Sequence, residues 1–119
     1  MNLIIAGGRD FLDYKLLSDS VTKLIDDHYA PFGVTIIAGG ALGADTLGEQ
    51  YADEWDIQKI IKKAQWTRYG LSAGYRRNVV MASLGSHLIA FWNGHSVGTK
   101  HMIDIAKDFG IDVTVVKYT

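Results

Sequence analysis

The chain has 119 residues, of which 48% are hydrophobic, 21% are charged, one is proline and none is cysteine. This composition is typical of one folded domain and excludes an intrinsically disordered chain, a disulfide scaffold and a cysteine-ligated zinc site. The apolar runs are too short for a membrane span and the start lacks a basic signal-peptide region, so we expect a cytoplasmic protein that does not contact a membrane.

Five β-rich segments alternate with four helical patterns along the chain. The predicted strands are 2–6, 34–38, 57–61, 86–92 and 112–117, and the predicted helices are 13–28, 43–55, 73–84 and 99–109. Strict alternation predicts right-handed crossovers and a parallel sheet covered by helices on both faces. We therefore predict one α/β, Rossmann-like domain over residues 1–119, a three-layer sandwich whose five strands lie in the order 3-2-1-4-5. A ligand of such a sheet binds beyond the carboxyl ends of the strands, where the order reverses between strands one and four.

The charges are unevenly distributed, although the formal net charge is only −1. Residues 57–103 contain no Asp or Glu, whereas they contain seven Lys or Arg side chains. A segment polarised in this way indicates an anionic ligand. Simple solvation is the alternative for Lys59 and Lys63.

Glycine-rich turns follow three of the predicted strands and would share one rim of the sheet. Glycine lets backbone amides approach a ligand closely, and helix N-termini attract anions, so these turns predict a phosphate site. The alternative is that tight turns between strands and helices need glycine in any case. The amides expected to hold phosphate are those of Gly8, Gly40 and Gly98, helped by the Thr99 hydroxyl, with Arg9 closing over the phosphate.

Two common nucleotide-binding fingerprints are absent from these turns. A dinucleotide G-x-G-x-x-G would need glycine at Ala38, and a Walker A loop needs Gly-Lys-Ser/Thr where the chain has Gly98-Thr99-Lys100. We therefore expect neither a standard dehydrogenase nor a P-loop NTPase.

Several polar side chains stand at positions where they can bind a nucleotide. Asp45 in the first turn of the second helix can accept hydrogen bonds from ribose, and Glu49 lies one turn later on the same face. A helix-dipole interaction for Asp45 and solvation for Glu49 are the alternatives. The planar guanidinium of Arg77 suits phosphate, with Asn78 as a neutral partner, whereas the adjacent Arg76 is expected at the surface.

Aromatic and histidine side chains give weaker signals. Trp66, Tyr69 and Trp92 can stack on a base, with Trp92 favoured because it ends a strand, and burial in the core is the alternative. The four histidines are scattered and lack metal-ligand spacing, so we assign no metal and no cofactor.

In combination, these motifs resemble the SLOG superfamily, specifically its YspA-like, YpsA-related branch. The resembling segments span nearly the whole chain: Gly7-Gly8-Arg9-Asp10-Phe11, Gly39 to Asp45 with Glu49, Arg77-Asn78-x-x-Met81, and Ala90 to Met102. The resemblance implies a Rossmann-like domain that binds nucleotides or nucleotide-derived signals such as ADP-ribose relatives. The superfamily also includes the Lonely-guy phosphoribohydrolases and the DNA-binding DprA proteins, and related proteins pair through helices that flank the sheet, which implies a homodimer or higher oligomer.

The resemblance to the Lonely-guy enzymes is incomplete at the chemical end of the motif. Arg77 matches the arginine of their Arg-Lys-x-x-Met motif, and Gly98-Thr99 match the Gly-Thr of their Pro-Gly-Gly-x-Gly-Thr-x-x-Glu loop. Met102 stands where those enzymes have the catalytic glutamate, and methionine cannot act as an acid or a base. The binding residues are kept and the catalytic residue is not, unless Asp45 or Glu49 supplies the carboxylate.

Our leading hypothesis is a sensor or sequestering protein that binds a nucleotide-derived phosphate ligand, ADP-ribose-like or a cyclic nucleotide, without catalysis. One alternative is a nucleotide N-glycosidase or phosphoribohydrolase-like enzyme that uses Asp45 or Glu49, and another is a DprA-like single-stranded nucleic-acid binder. The pI of 6.4 and the short chain argue against the last, so nucleic acid is not expected as a partner. The predicted ligand-binding residues are Gly7, Gly8, Arg9, Gly39, Gly40, Gly43, Asp45, Arg77, Asn78, Trp92, Gly98 and Thr99.

Overall fold

The computed structural model describes residues 1–28 and 33–119, and its elements alternate as the sequence predicts. The strands are β1 (Asn2–Gly7), β2 (Thr35–Ala38), β3 (Gln58–Ile61), β4 (His87–Trp92) and β5 (Asp112–Lys117). The helices are α1 (Tyr14–Asp27), α2 (Ala44–Glu54), α3 (Trp66–Tyr69), α4 (Ala73–Leu84) and α5 (Val97–Asp108), and a 3-10 turn (Gly70–Ser72) joins α3 to α4.

The sheet has the predicted order, β3-β2-β1-β4-β5, and all four strand pairings are parallel. The central strands β1 and β4 each bury four consecutive residues, because helices cover both faces of the sheet. The fold class and the strand order are therefore confirmed.

Two apolar cores lie on opposite faces of the sheet. On the face covered by α1 and α2, Phe11, Leu17 and Tyr51 are buried against the strands. On the other face, Met81 of α4 and Met102 of α5 pack against the sheet. This sandwich holds the carboxyl ends of β1, β2 and β4 at one rim.

Two helices differ from the sequence prediction. Helix α5 begins at Val97, two residues earlier than predicted, because Ser96 is its N-cap and accepts a hydrogen bond from the Thr99 amide at 3.4 Å. Helix α3 was not predicted, since four residues are too few to show a helical period. Of the helices in the described ranges, each is too short or too polar to cross a bilayer.

Candidate nucleotide-binding site

A cleft of about 470 Å³ opens at the carboxyl ends of β1 and β4, where the strand order reverses. We call it the central cleft, and its wall comes from the turn after β1, the first turns of α2 and α5, and one face of α4. The structure brings eight of the predicted residues together in this wall: Gly7, Gly8, Arg9, Asp45, Arg77, Asn78, Gly98 and Thr99.

Two further clefts adjoin the central cleft, and Arg77 lines all three. The β2 cleft, of about 360 Å³, includes the predicted residues Gly39 and Gly40 together with Lys63. The α4 cleft, of about 520 Å³, extends from Lys63 along the outer side of α4. We call the three clefts together the basic groove. Its cationic lining residues are Arg9, Lys62, Lys63, Arg76 and Arg77, and its carboxylates are Asp10 and Asp45.

The Arg77 side chain links α4 to the end of β2. Its Nη1 donates to the Gly39 carbonyl at 2.7 Å, and its Nε donates to Oδ1 of Asn78 at 3.1 Å. A Cβ atom on Gly39 would lie 2.2 Å from Arg77 Nη1, so the guanidinium needs glycine there. Burial lowers the pKa of Arg77 from its ordinary value, and the negative charge of Asp45 opposes that shift. Arginine remains protonated at neutral pH, and Arg77 Nη2 makes no hydrogen bond to a described residue.

Asp45 is a buried carboxylate in the first turn of α2, with 5% of its surface exposed. Its Oδ2 accepts a hydrogen bond from the Ala41 amide at 3.2 Å. Desolvation raises the pKa of Asp45 to about 6, although the Ala41 amide and the positive charge of Arg77 act in the opposite direction. A carboxyl with a raised pKa therefore lies beside the guanidinium that would meet an anion.

Asn78 connects α4 to the start of α5. Its buried side-chain amide donates to the Gly98 carbonyl at 3.3 Å and to Nδ1 of His101 at 3.1 Å. Burial lowers the pKa of His101, which favours the neutral ring that can accept this bond. Together with its bond from Arg77, Asn78 fixes the first turn of α5 relative to the guanidinium.

The glycine turns after β1 and β2 line the clefts, but backbone groups of these turns also bond to the rest of the rim. The Gly8 amide donates to the Phe91 carbonyl at 3.1 Å, and the Gly8 carbonyl accepts from the Ala44 amide, the first of α2, at 3.2 Å. Gly43 has φ +79°, and a Cβ atom there would lie 2.2 Å from the Gly8 carbonyl oxygen. The Gly8 amide, predicted to hold phosphate, is therefore occupied by the backbone, and Gly43 lies in a packing contact.

The first turn of α5 has no acidic residue, whereas that of α2 contains Asp45. The amides of Val97 and Gly98 have no hydrogen-bond partner within the described parts of the chain. The preceding amides of His95 and Ser96 donate to Oδ1 of Asn93, each at 2.8 Å. The helix thus presents two donors at the positive end of its dipole.

Trp92 and Glu49 lie outside the three clefts as the structure describes them. The Trp92 indole donates to the Ser96 carbonyl at 3.1 Å, so its ring supports the turn before α5. Two other aromatic side chains line the central cleft, Trp66 with 49% and Tyr75 with 43% of its surface exposed. The sequence favours Trp92 over Trp66 as the residue that stacks on a base, and no local pattern indicates such a role for Tyr75.

Comparison with known proteins supports the resemblance. A model of the YspA, cpYpsA-related SLOG family (YAcAr) matches residues 1–69. The Gene 61 protein of Mycobacterium phage D29 is 31% identical over 117 residues, which cover 93% of this chain and 92% of that protein. The structure of DNA processing protein A from Helicobacter pylori, described for its single-stranded DNA binding mode, aligns with all of this chain at a TM-score of 0.72 and 16% identity. The present chain spans 66% of that protein. At 16% identity, the likeness shows that the two proteins share a fold.

The expectation that excluded nucleic acid as a partner is wrong, because a protein with this fold binds single-stranded DNA. The physical reason lies in the charge distribution. A pI of 6.4 averages over the whole chain, whereas five cationic side chains gather along one groove.

Proposed function

Because this chain belongs to the YspA, cpYpsA-related SLOG family and shares its fold with a protein that binds single-stranded DNA, we propose that its basic groove binds single-stranded nucleic acid. The observation that carries the proposal is that Arg77 lines three adjoining clefts, whose other cations are Arg9, Lys62, Lys63 and Arg76. A positively charged groove that is longer than one nucleotide suits a phosphodiester chain better than a single small anion.

In this proposal one phosphate binds at the centre of the groove. Arg77 offers Nη2, and the first turn of α5 offers the amides of Val97 and Gly98. The hydroxyl of Thr99, which lies 3.1 Å from the Ser96 hydroxyl, also lines the central cleft beside this turn. Amides at a helix N-terminus and a guanidinium together form an anion site that recognises phosphate without reading the base.

Neighbouring nucleotides would follow the groove in both directions. Lys62, Lys63 and Arg76 would neutralise phosphates on the α4 side. Trp66 and Tyr75 present half-exposed rings in the central cleft, and stacking on such rings holds bases of any sequence. Binding would therefore depend strongly on salt and weakly on sequence.

The second candidate is a nucleotide-derived small ligand, ADP-ribose-like or a cyclic nucleotide. The size of the central cleft, about 470 Å³, favours it, because small-molecule sites fall within about 300–1,000 Å³. Asp45 would meet the ribose there. We do not propose hydrolysis, since Met102 lines the cleft where the Lonely-guy motif has its glutamate and Glu49 does not line it.

Fluorescence anisotropy with single-stranded oligonucleotides of increasing length tests the proposal, with AMP and ADP-ribose as competitors. We expect affinity to rise with length and to fall with salt. Three contacted phosphates would give a slope of log K against log salt of about −2. No binding of any oligonucleotide at 50 mM salt by folded protein would refute the proposal. AMP or ADP-ribose binding as tightly as the longest oligonucleotide would favour the second candidate.

Arg77→Met and Lys107→Met form the matched pair for this experiment. Each replaces a cation by an apolar side chain of similar length, but Lys107 is exposed on α5 outside the groove. Loss of the guanidinium should lower affinity by about 10- to 100-fold, as expected for hydrogen bonds to a charged group, and Lys107→Met should bind like the wild type. Equal affinity of the two variants would contradict the central role of Arg77.

A further inference from the structure

Three side chains with metal-binding chemistry meet at the amino ends of the strands. The basic groove lies at the opposite, carboxyl ends of the strands. His28 follows the last residue of α1, His87 begins β4, and Asp112 begins β5. Nε2 of each histidine lies 3.5 Å from Oδ2 of Asp112, and the ligand atoms of all three lie within 4.8 Å of one another. The rings of His28 and His87 are nearly perpendicular, with centroids 4.6 Å apart.

The second nitrogen of each ring is already engaged. Nδ1 of His28 lies 2.9 Å from the Leu24 carbonyl, which can only accept, so Nδ1 carries a proton. Nδ1 of His87 lies 2.8 Å from the Ser86 hydroxyl, which also bonds to the Asn2 backbone. Hydrogen bonds of this kind orient the histidines of metal sites and direct their Nε2 lone pairs at the ion.

Nε2 of each histidine faces the same oxygen of Asp112 at 3.5 Å. The separation exceeds the roughly 2.7–2.9 Å of a charge-assisted N–H···O bond. It is close to the spacing of about 3.4 Å between ligand atoms that bind an ion tetrahedrally with bonds of about 2.0–2.2 Å. The two nitrogen–oxygen separations therefore match those of an ion that Asp112 shares with each histidine.

We propose that His28, His87 and Asp112 bind a divalent transition metal ion of the zinc class, with water completing its coordination. Two imidazole nitrogens and one carboxylate oxygen form a donor set that suits Zn²⁺ and its neighbours rather than Mg²⁺ or Ca²⁺. The bound ion would join the end of α1 to the starts of β4 and β5, and it would do so independently of any ligand in the groove.

Isothermal titration of the full chain with ZnCl₂ at pH 7.5 tests the site, and Co²⁺ absorption reports its coordination. We expect one Zn²⁺ to bind per chain, to raise the melting temperature, and to give the visible bands of a Co²⁺ ion with nitrogen ligands. Asp112→Asn and His87→Gln should each weaken binding by about 100-fold or more, since even residues outside the metal's ligand shell contribute 10- to 100-fold.

His95→Gln is the matched control, because His95 is exposed in the turn before α5 and lies outside the cluster. It should bind Zn²⁺ like the wild type. Absence of binding by folded wild-type protein, or equal binding by the Asp112→Asn and His95→Gln variants, would overturn the proposal. If Asp112→Asn or His87→Gln does not fold, His28→Gln replaces it, because His28 lies at the end of α1 rather than in the sheet.

Discussion

The N-termini of α2 and α5 lie on the same rim and follow similar glycine-rich turns, yet the groups that face their first turns differ. At α2 the first amide, that of Ala44, bonds to the Gly8 carbonyl, and Asp45 places a carboxylate in the first turn. At α5 the amides of Val97 and Gly98 have no partner among the described residues. We call the N-terminus of α2 the closed end, because the Gly8 carbonyl and the Asp45 carboxylate face it, and that of α5, whose first turn has no acidic residue, the open end. Glycine content alone therefore does not separate a packing turn from a binding turn.

The closed end still shapes the site, because Asp45 lies beside Arg77. The two side chains converge on Gly39, where a Cβ atom would lie 2.2 Å from Arg77 Nη1 and 2.8 Å from Asp45 Oδ2. A fixed carboxylate so close to the guanidinium competes with a phosphate for its charge. The closed end should thus control stability and the charge of the site, while the open end should control binding.

The largest expected effect is on stability at the closed end. Gly43→Ala forces a Cβ atom against the Gly8 carbonyl in a left-handed backbone conformation, which should lower the free energy of unfolding by about 3–5 kcal/mol. The matched control is Gly98→Ala at the open end, where an added Cβ has no heavy atom within 4 Å. Urea denaturation compares the two variants, and similar losses in both would remove the distinction between the two ends.

A somewhat smaller effect concerns the pH dependence of stability. Because the folded state raises the pKa of Asp45 from 3.8 to about 6, it binds more protons than the unfolded state between these values. The free energy of unfolding should therefore fall as pH rises through this window, by as much as about 3 kcal/mol.

The Asp45→Asn variant should lose this fall, whereas Asp108→Asn, at an exposed position on α5, should keep it. Denaturation at pH 4, 5, 6 and 7 measures the difference. A wild-type curve that instead rises steadily across the window, with Asp45→Asn unchanged, would show that Asp45 is stabilised as a carboxylate.

Much of this architecture can be predicted from the sequence, because the fold follows from local periodicity. Apolar strands and amphipathic helices alternate, and the switch point then places the glycine turns and Arg77 on one rim. The contribution of Lys62 and Lys63 to the groove depends on how the segment before α4 crosses the sheet, which no local pattern encodes. The backbone partner of the Gly8 amide is equally invisible in the sequence.

Neither the basic groove nor the histidine cluster can be predicted from the sequence, and the reason is the same for both. Both depend on residues that are distant in sequence and adjacent in space. His28, His87 and Asp112 come from three elements, so their spacing along the chain carries no ligand signature. Charge summed over the chain hides a local groove in the same way.

The smallest expected effect tests the open end directly. Val97 is the first residue of α5, where proline fits a helix without loss, and Ser96 before it has φ −58° and ψ 118°, values that a residue preceding proline adopts readily. Val97→Pro therefore removes one amide donor and leaves the helix intact. If that amide binds phosphate, oligonucleotide affinity should fall by about 3- to 10-fold, the value of roughly one hydrogen bond, at unchanged melting temperature.

Val97→Ala keeps the amide while losing the exposed side chain, so it should bind like the wild type. Equal binding by the two variants would mean that the phosphate lies elsewhere in the groove, closer to Lys63 than to α5.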